Sequence, residues 1–472
     1  MSVLIKDGRV ITAVDDYVAD VFVENGTIAL IGQALSVSAD KVIDAGGQYV
    51  LPGAIDPHTH LDMPFGGLVT CDDFTSGTRS AAFGGTTTIV DFALQEPGHS
   101  LLGTITEWHE KVKRCKPLID VGFHLAITDL ENGGTLDEVS EMPKHGVTSL
   151  KLFMAYKGAV MVDDETLFRT MKVAAATGSL VLVHAENGDA IEVLREEALA
   201  AGHTDTRYHA VTRPPLVEAE ATSRAIALAR IAGAPLYVVH VSCQEAIDPV
   251  ATARSRGWAI WGETCTQYLF IDESFLERPN FEGGKYVFTP PPRAKEQHAK
   301  VWHALATDAL SVVSSDHAPF NWNGQKSLGR DNFTKIPNGA PGIENRLHMI
   351  HHFGVGDGHF SLNRMVELLS TNPAKLFGLY PRKGTIAVGS DADIVVFDPE
   401  KKLTLSAETH HSNVDYNLFE GTSVVGAPRV VLVRGQMIVE DDELVGEPGD
   451  GEFVPRARFG EPLLRHSVTA PA

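Results

Sequence analysis

Eight short apolar runs, set between about residues 50 and 319 and separated by helix-like or looped stretches, predict an α/β chain folded as a TIM (β/α)8 barrel. Residues fit to bind metal or move protons stand in or just after several of these runs, as they do at the mouth of such a barrel. The two ends of the chain read differently. Both hold short β-type runs with glycine turns, and together they predict a composite β-sandwich built from the N- and C-terminal segments.

Residues 1–50 supply the N-terminal part of that sandwich, with Val3–Ile5, Val18–Val23 and Ile28–Ile31. The barrel occupies 51–383. Its runs are Tyr49–Ile55, Thr86–Ala93, Ile119–Ile127, Ser149–Met154, Ser179–Val183, Pro235–Val241, Trp258–Glu263 and Leu310–Ser315. Such runs are rich in Val, Ile and Leu without strict alternation, which suits parallel strands covered on both faces. Val217–Ile231 is Ala-rich and amphipathic, and Asp163-Asp164-Glu165 places acids where a helix start favours them. A doubly wound sheet is the other arrangement of the same elements. Candidate ligands drawn from many strands favour the barrel. Residues 384–446 return to the sandwich style in Gly384–Val388, Ala392–Phe397, Val430–Val433 and Met437–Val439. Residues 447–472 form a tail rich in Pro, Gly and charge, either disordered or an arm that docks on a neighbouring subunit.

A chain of 472 residues with 43% hydrophobic and 21% charged residues is an ordinary globular composition. Its formal net charge of −21 argues against nucleic acid as a partner, because phosphates are repelled. No secretory signal and no membrane span are visible, so a cytoplasmic location is expected. Cys71, Cys115, Cys243 and Cys265 are scattered without CxxC spacing and read as free thiols.

The chemistry begins at His58-Thr59-His60, which follows the first run. Residues two apart in an extended segment face the same way, so two imidazoles can grip one ion. Alone the pair is weak evidence among 20 histidines. Lys151 lies in the fourth run, His184 ends the fifth, His240 lies in the sixth and Asp316 follows the eighth. Each has a bland reading: a hydrogen-bonded core histidine, an edge lysine, a capping aspartate. Six such residues at strands one, four, five, six and eight of a barrel would converge on one mouth. Lys151 is the odd member, since an ammonium is repelled by a metal and burial disfavours its charge. A neutral amine can capture CO2 as a carbamate, whose two oxygens can bridge two metals.

The chain resembles the hydantoinase/dihydropyrimidinase family, cyclic amidohydrolases of the amidohydrolase superfamily. The resemblance rests on Pro57–Phe65, Gly84–Phe92, Lys151–Gly158, Ser314–Pro319, Pro337–Glu344 and Lys383–Asp393. It implies a homotetramer and two Zn2+ per subunit, bridged by carboxylated Lys151 and a hydroxide. His58, His60, Lys151 and Asp316 would hold one zinc, and Lys151, His184 and His240 the other. The resemblance implies a small cyclic imide or ureide as substrate, opened to an N-carbamoyl amino acid. Asp316 would carry the proton from the attacking hydroxide to the leaving nitrogen, and Tyr156 would bind the oxyanion. Backbone groups near Thr289 and Asn338 would hold the ring's imide. Thr289 replaces the family's usual Ser, a change a backbone contact survives. Met63, Phe65, Leu94, Phe153, Tyr156 and Val160 would cover the exocyclic substituent. Val160 is smaller than the residue many relatives carry there, so bulky substituents are expected to fit.

Two other functions bear on the same residues. Allantoinase or dihydroorotase is the neighbouring activity. Dihydroorotase-like enzymes carry an arginine two residues after His-x-His, where this chain has Asp62, which would repel a substrate carboxylate. A non-catalytic dihydropyrimidinase-like scaffold is the remote alternative, opposed by the filled set of six ligand positions.

Overall fold

The computed structural model describes residues 2–463. Eight parallel strands form the barrel: β1 (Ala54–Thr59), β2 (Thr86–Leu94), β3 (Asp120–Ala126), β4 (Ser149–Phe153), β5 (Leu180–His184), β6 (Leu236–Val238), β7 (Ile260–Cys265) and β8 (Val312–Ser314). Each pairs with its sequence neighbours, from Ala54 opposite Thr86 to Cys265 opposite Ser314. A parallel bridge between Thr59 and His317 returns the ring to its start. The barrel is therefore the arrangement adopted, and the doubly wound sheet is not. Every residue of β2, β3 and β5 is buried, which is why those runs lack polar alternation.

The helices start and stop on local chemistry. Asp163 accepts from the Thr166 amide and caps Asp164–Thr177, and Gly178 ends it in the left-handed region. The Ala-rich stretch forms the helix Pro215–Ala232. No helix among the described residues is long and apolar enough to cross a membrane.

Two expected β-runs are placed differently. Tyr49–Ile55 divides at Gly53. Tyr49–Pro52 belongs to the terminal sheet, with Val50 opposite Val396, and the barrel strand begins at Ala54. Gly53 permits the crossing because a Cβ there would stand 2.0 Å from the Thr87 hydroxyl. Gly384–Val388 is loop rather than strand, since Gly384 turns at φ +82° against the Ser370 carbonyl. Ile386 nevertheless fills the core.

The terminal strands join in one nine-stranded mixed sheet. Ser2–Ile11, Asp16–Glu24, Thr27–Gly32, Lys41–Asp44 and Tyr49–Pro52 come from the N-terminal segment. Ile394–Thr404, Ser423–Val433, Gln436–Glu440 and Glu443–Leu444 come from the C-terminal one. Val3, Ile5, Val21, Val50, Ile394 and Val430 share its core. Lys383 ties this unit to the barrel: its Nζ lies 2.6 Å from Asp120 at the start of β3 and 2.5 Å from Asp393.

The tail as far as Leu463 lies along its own barrel; residues 464–472 are outside the described range. Val454 N donates to Val121 O, Arg456 N to Gly146 O and Phe459 N to Gly178 O. These contacts run beneath the N-terminal ends of β3, β4 and β5, opposite the mouth that gathers the histidines.

A candidate metal centre at the barrel mouth

His58 lies in β1, Lys151 in β4 and His184 at the end of β5; His240 and Asp316 lie two residues beyond β6 and β8. Because the strands are parallel, these positions share one mouth. The structure brings all six candidate ligands to a single cavity. Met63, Phe65, Leu94, Phe153, Tyr156, Val160, Thr289 and Asn338 line the same cavity, with Ala318 and Gly339 added. Asp62 does not line it. Its carboxylate pairs with Arg114 at 2.6 Å, so the expected repulsion of a substrate carboxylate is not at this cavity.

The donor atoms converge. His58 Nε2 and His60 Nε2 each lie 3.1 Å from Asp316 Oδ1, and the three residues offer ligand atoms within 4.8 Å of one another. The His184 and His240 rings are 4.6 Å apart, and His58 and His240 5.5 Å. Lys151 Nζ sits 5.1 Å from the rings of both Phe92 and Phe153. It is buried and makes no ion pair or hydrogen bond among the described residues. Nitrogen and carboxylate donors around one spot fit a borderline-soft divalent metal.

Partners behind the donors orient them. His58 Nδ1 meets Glu263, and His184 Nε2 lies 2.8 Å from Glu186 Oε2, which leaves His184 Nδ1 without a protein partner among the described residues. A carboxylate behind a ligating imidazole sets its tautomer and raises its basicity. Asp91 accepts from Thr59 Oγ1 at 2.8 Å and Leu61 N at 2.9 Å, fixing the His-x-His segment. Asp56 accepts from the amides of His58 and Ser315, both at 3.2 Å, joining the exits of β1 and β8. Tyr156, His240 and Asp316 all hold left-handed backbone, with φ of 68°, 42° and 49°. Such conformations in non-glycine residues concentrate at functional sites.

Charge follows from burial and neighbours. Burial drives Lys151 down to about 7 against the pull of Asp316 and Glu263, so a neutral amine is accessible near neutral pH. Burial lowers His60 to about 4 and His240 well below the usual imidazole range. Burial also opposes the charge on His58, but Asp316 and Glu263 outweigh it and raise His58 to about 9. Burial raises the Tyr156 phenol, while hydrogen bonds with Thr289 and Asn338 work the other way. The phenol therefore stays a donor.

Sequence reasoning passed over Glu263, Glu186, Asp91 and Phe92. Glu263 had a signal: it is an acid closing the apolar run Trp258–Glu263, and it lies within β7. Phe92 packs against two of the candidate ligands, its ring 4.8 Å from that of His58 and 5.1 Å from that of His60. Cys265 is free and buried beside His58 and Glu263.

A parallel barrel with this mouth agrees with a match of residues 49–438 to the amidohydrolase family, and the chain belongs to that family. More narrowly, it falls in the hydantoinase/dihydropyrimidinase branch, the cyclic amide hydrolases. It is 54% identical to a D-hydantoinase of Geobacillus stearothermophilus over 99% of both chains. It is 40% identical to a dihydropyrimidinase of Rattus norvegicus over 97% of this chain and 89% of that one. Among solved structures, the dihydropyrimidinase of Brevibacillus agri superposes with a TM-score of 0.96 at 54% identity, covering 98% of this chain and all of the other.

Proposed function

We propose that this chain opens the cyclic amide of hydantoins and dihydropyrimidines to N-carbamoyl amino acids, at a site that holds two zinc ions. The observation that carries the reading is the convergence of four histidines, Lys151 and Asp316 on one cavity. His58, His60, Lys151 and Asp316 would hold one ion, and Lys151, His184 and His240 the other. Bound ions supply polarisation of the ring carbonyl and acidify the attacking water.

The chain's own groups do the rest. Lys151, as a neutral amine, adds to CO2, forming a C–N bond and releasing a proton, and so becomes the missing anion. Asp316 accepts a proton from the attacking water and delivers it to the amide nitrogen as the ring C–N bond breaks. Tyr156 donates its phenolic hydrogen to the oxygen that gains charge. Thr289 and Asn338 hold the imide edge. Met63, Phe65, Leu94, Phe153 and Val160 enclose the exocyclic group. The chain is further proposed to work as a homotetramer, which the family resemblance supports and light scattering tests, and in the cytoplasm.

The test measures opening of hydantoin, dihydrouracil, both enantiomers of 5-phenylhydantoin, allantoin and dihydroorotate side by side, with zinc counted per chain. Opening of hydantoins or dihydrouracil with about two zinc ions bound is expected. Activity confined to allantoin or dihydroorotate, or full activity without metal, would overturn the reading.

A further inference from the structure

A second cavity adjoins the catalytic one. Phe65, Tyr156 and Asn338 line both, so they form a shared wall. The second cavity is basic: Lys157, Arg195, Arg213 and Lys335 line it, and among the described residues no aspartate or glutamate does. This occurs in a chain of formal net charge −21. Other surface cavities carry carboxylates, Glu344 and Asp442 in one, Glu273 and Glu277 in another, Asp308 in a third.

Of the four cations Arg213 is the most buried, only 6% exposed. Its Nη1 is 3.2 Å from His209 Nδ1, while His209 Nε2 lies 2.9 Å from the Phe288 carbonyl oxygen. A carbonyl can only accept, so Nε2 carries the ring proton and Nδ1 accepts from Arg213. The guanidinium is thus aimed by a neutral histidine. Its Nε is buried without a hydrogen-bond partner, and no carboxylate stands within ion-pair distance among the described residues. Glu186 acts on it only from farther off. Lys335 is exposed and also unpaired among the described residues. Lys157 and Arg195 pair with Asp189 and Glu192, which stand outside the cavity lining. A buried guanidinium lacking a counter-ion favours an arriving anion, and its planar fork matches a carboxylate.

We propose that this cavity is a carboxylate-binding subsite of the ring-opening site, taking a carboxylate carried by a small molecule seated against Tyr156. The inference rests on the ring-opening reading above and deepens it. Two sources share the chemistry: a carboxyalkyl arm on the ring, or the carboxylate created when water oxygen joins the ring carbonyl carbon and the C–N bond breaks.

The experiment compares kcat/KM for 5-(2-carboxyethyl)hydantoin with that for 5-propylhydantoin, at low salt, in the metal-loaded wild type, Lys335→Glu and Arg213→Gln. Inhibition of propylhydantoin opening by N-carbamoylglycine is measured in the same proteins. Because Arg213→Gln alters a buried position, Lys335→Glu at an exposed one carries the test independently. A fall in the carboxyethyl-to-propyl ratio of about 5-fold or more assigns the substituent's carboxylate. An unchanged ratio with inhibition weakened about 5-fold assigns the product's. If neither moves in Lys335→Glu, the subsite is overturned. Failure of the wild type to open both 5-propylhydantoin and dihydrouracil sinks the ring-opening reading itself, and this inference with it.

Discussion

Lys151 is a buried amine among aromatic rings and imidazoles, with no carboxylate or hydroxyl to meet it among the described residues. As an ammonium it would be poorly solvated, and as a carbamate it becomes an anion suited to cations. Lys151→Ala is therefore expected to lose most bound metal and at least ~10³-fold in kcat, as loss of a metal-activated nucleophile implies. Added short carboxylates should restore part of both, read by metal analysis and turnover. A variant with full metal and full rate would exclude the bridge. Asp316 poses a different question, because it is both donor and base in the proposed reaction. Asp316→Asn keeps shape and removes basicity, so kcat should fall at least ~10²-fold. Turnover within a few-fold of wild type would leave Asp316 a ligand only.

Loops and the tail decide what the barrel strands cannot. Val160 sits on the connection between β4 and the helix Asp164–Thr177, and lines the cavity with Phe65, Phe153 and Tyr156. Its short side chain leaves room beside the proposed substituent. Val160→Phe should lower kcat/KM for 5-phenylhydantoin roughly 10-fold more than for dihydrouracil, the scale of one to two methylenes in an apolar pocket. Equal losses on both would place Val160 away from the substituent. At the other end of the barrel, Arg456 reaches in from the tail. Its guanidinium donates to the Phe123 carbonyl, to Ser149 Oγ at 2.8 Å and to the Phe377 carbonyl at 3.3 Å. Ser149 then meets His124 Nδ1 at 2.5 Å, and His124 Nε2 meets the Pro57 carbonyl at 2.9 Å, one residue before His58. Arg456→Met leaves those acceptors unpaired and should destabilise the protein by about 2–4 kcal/mol. Denaturant titration reads the change, and a loss under about 0.5 kcal/mol, the scale of an ordinary surface substitution, would show the tail to be an ornament on the barrel.

Barrel and terminal sheet are held together by buried charge as well as by apolar packing. Lys383 Nζ faces Asp120, Asp393 and, at 3.3 Å, Asp391, with Arg434 also on Asp120. The lysine occupies the centre of this trio of carboxylates, which accounts for the cluster without a metal. Removing one partner from a buried ionic cluster leaves uncompensated charge. Lys383→Met should thus lower stability by about 3–5 kcal/mol. The loss should shrink at acid pH, where protonation relieves the stranded carboxylates. A thermal midpoint within a degree of wild type at neutral pH would contradict this account.

The barrel, the two-ended sheet and the candidate ligands now gathered at one mouth were legible because each rests on short-range pattern. Apolar runs of strand length, a left-handed glycine after a helix and a histidine at a strand exit are local facts, and parallel geometry then fixes which ends meet. The division of Tyr49–Ile55 between two sheets was not legible, since one apolar run looks the same whether one sheet or two claim it. Gly53 separates them only because Thr87 approaches so closely. Glu263 behind His58, Arg456 beneath β4 and the turning of Asp62 toward Arg114 were likewise hidden. Each joins residues tens to hundreds of positions apart, and no periodicity encodes such a meeting. By itself the sequence determined the class of chemistry through the residue types it sets at strand ends. Tertiary structure alone decided how those residues are oriented, which charges are neutralised and which cations are left facing an open cavity, because burial and distance exist only once the chain has closed on itself.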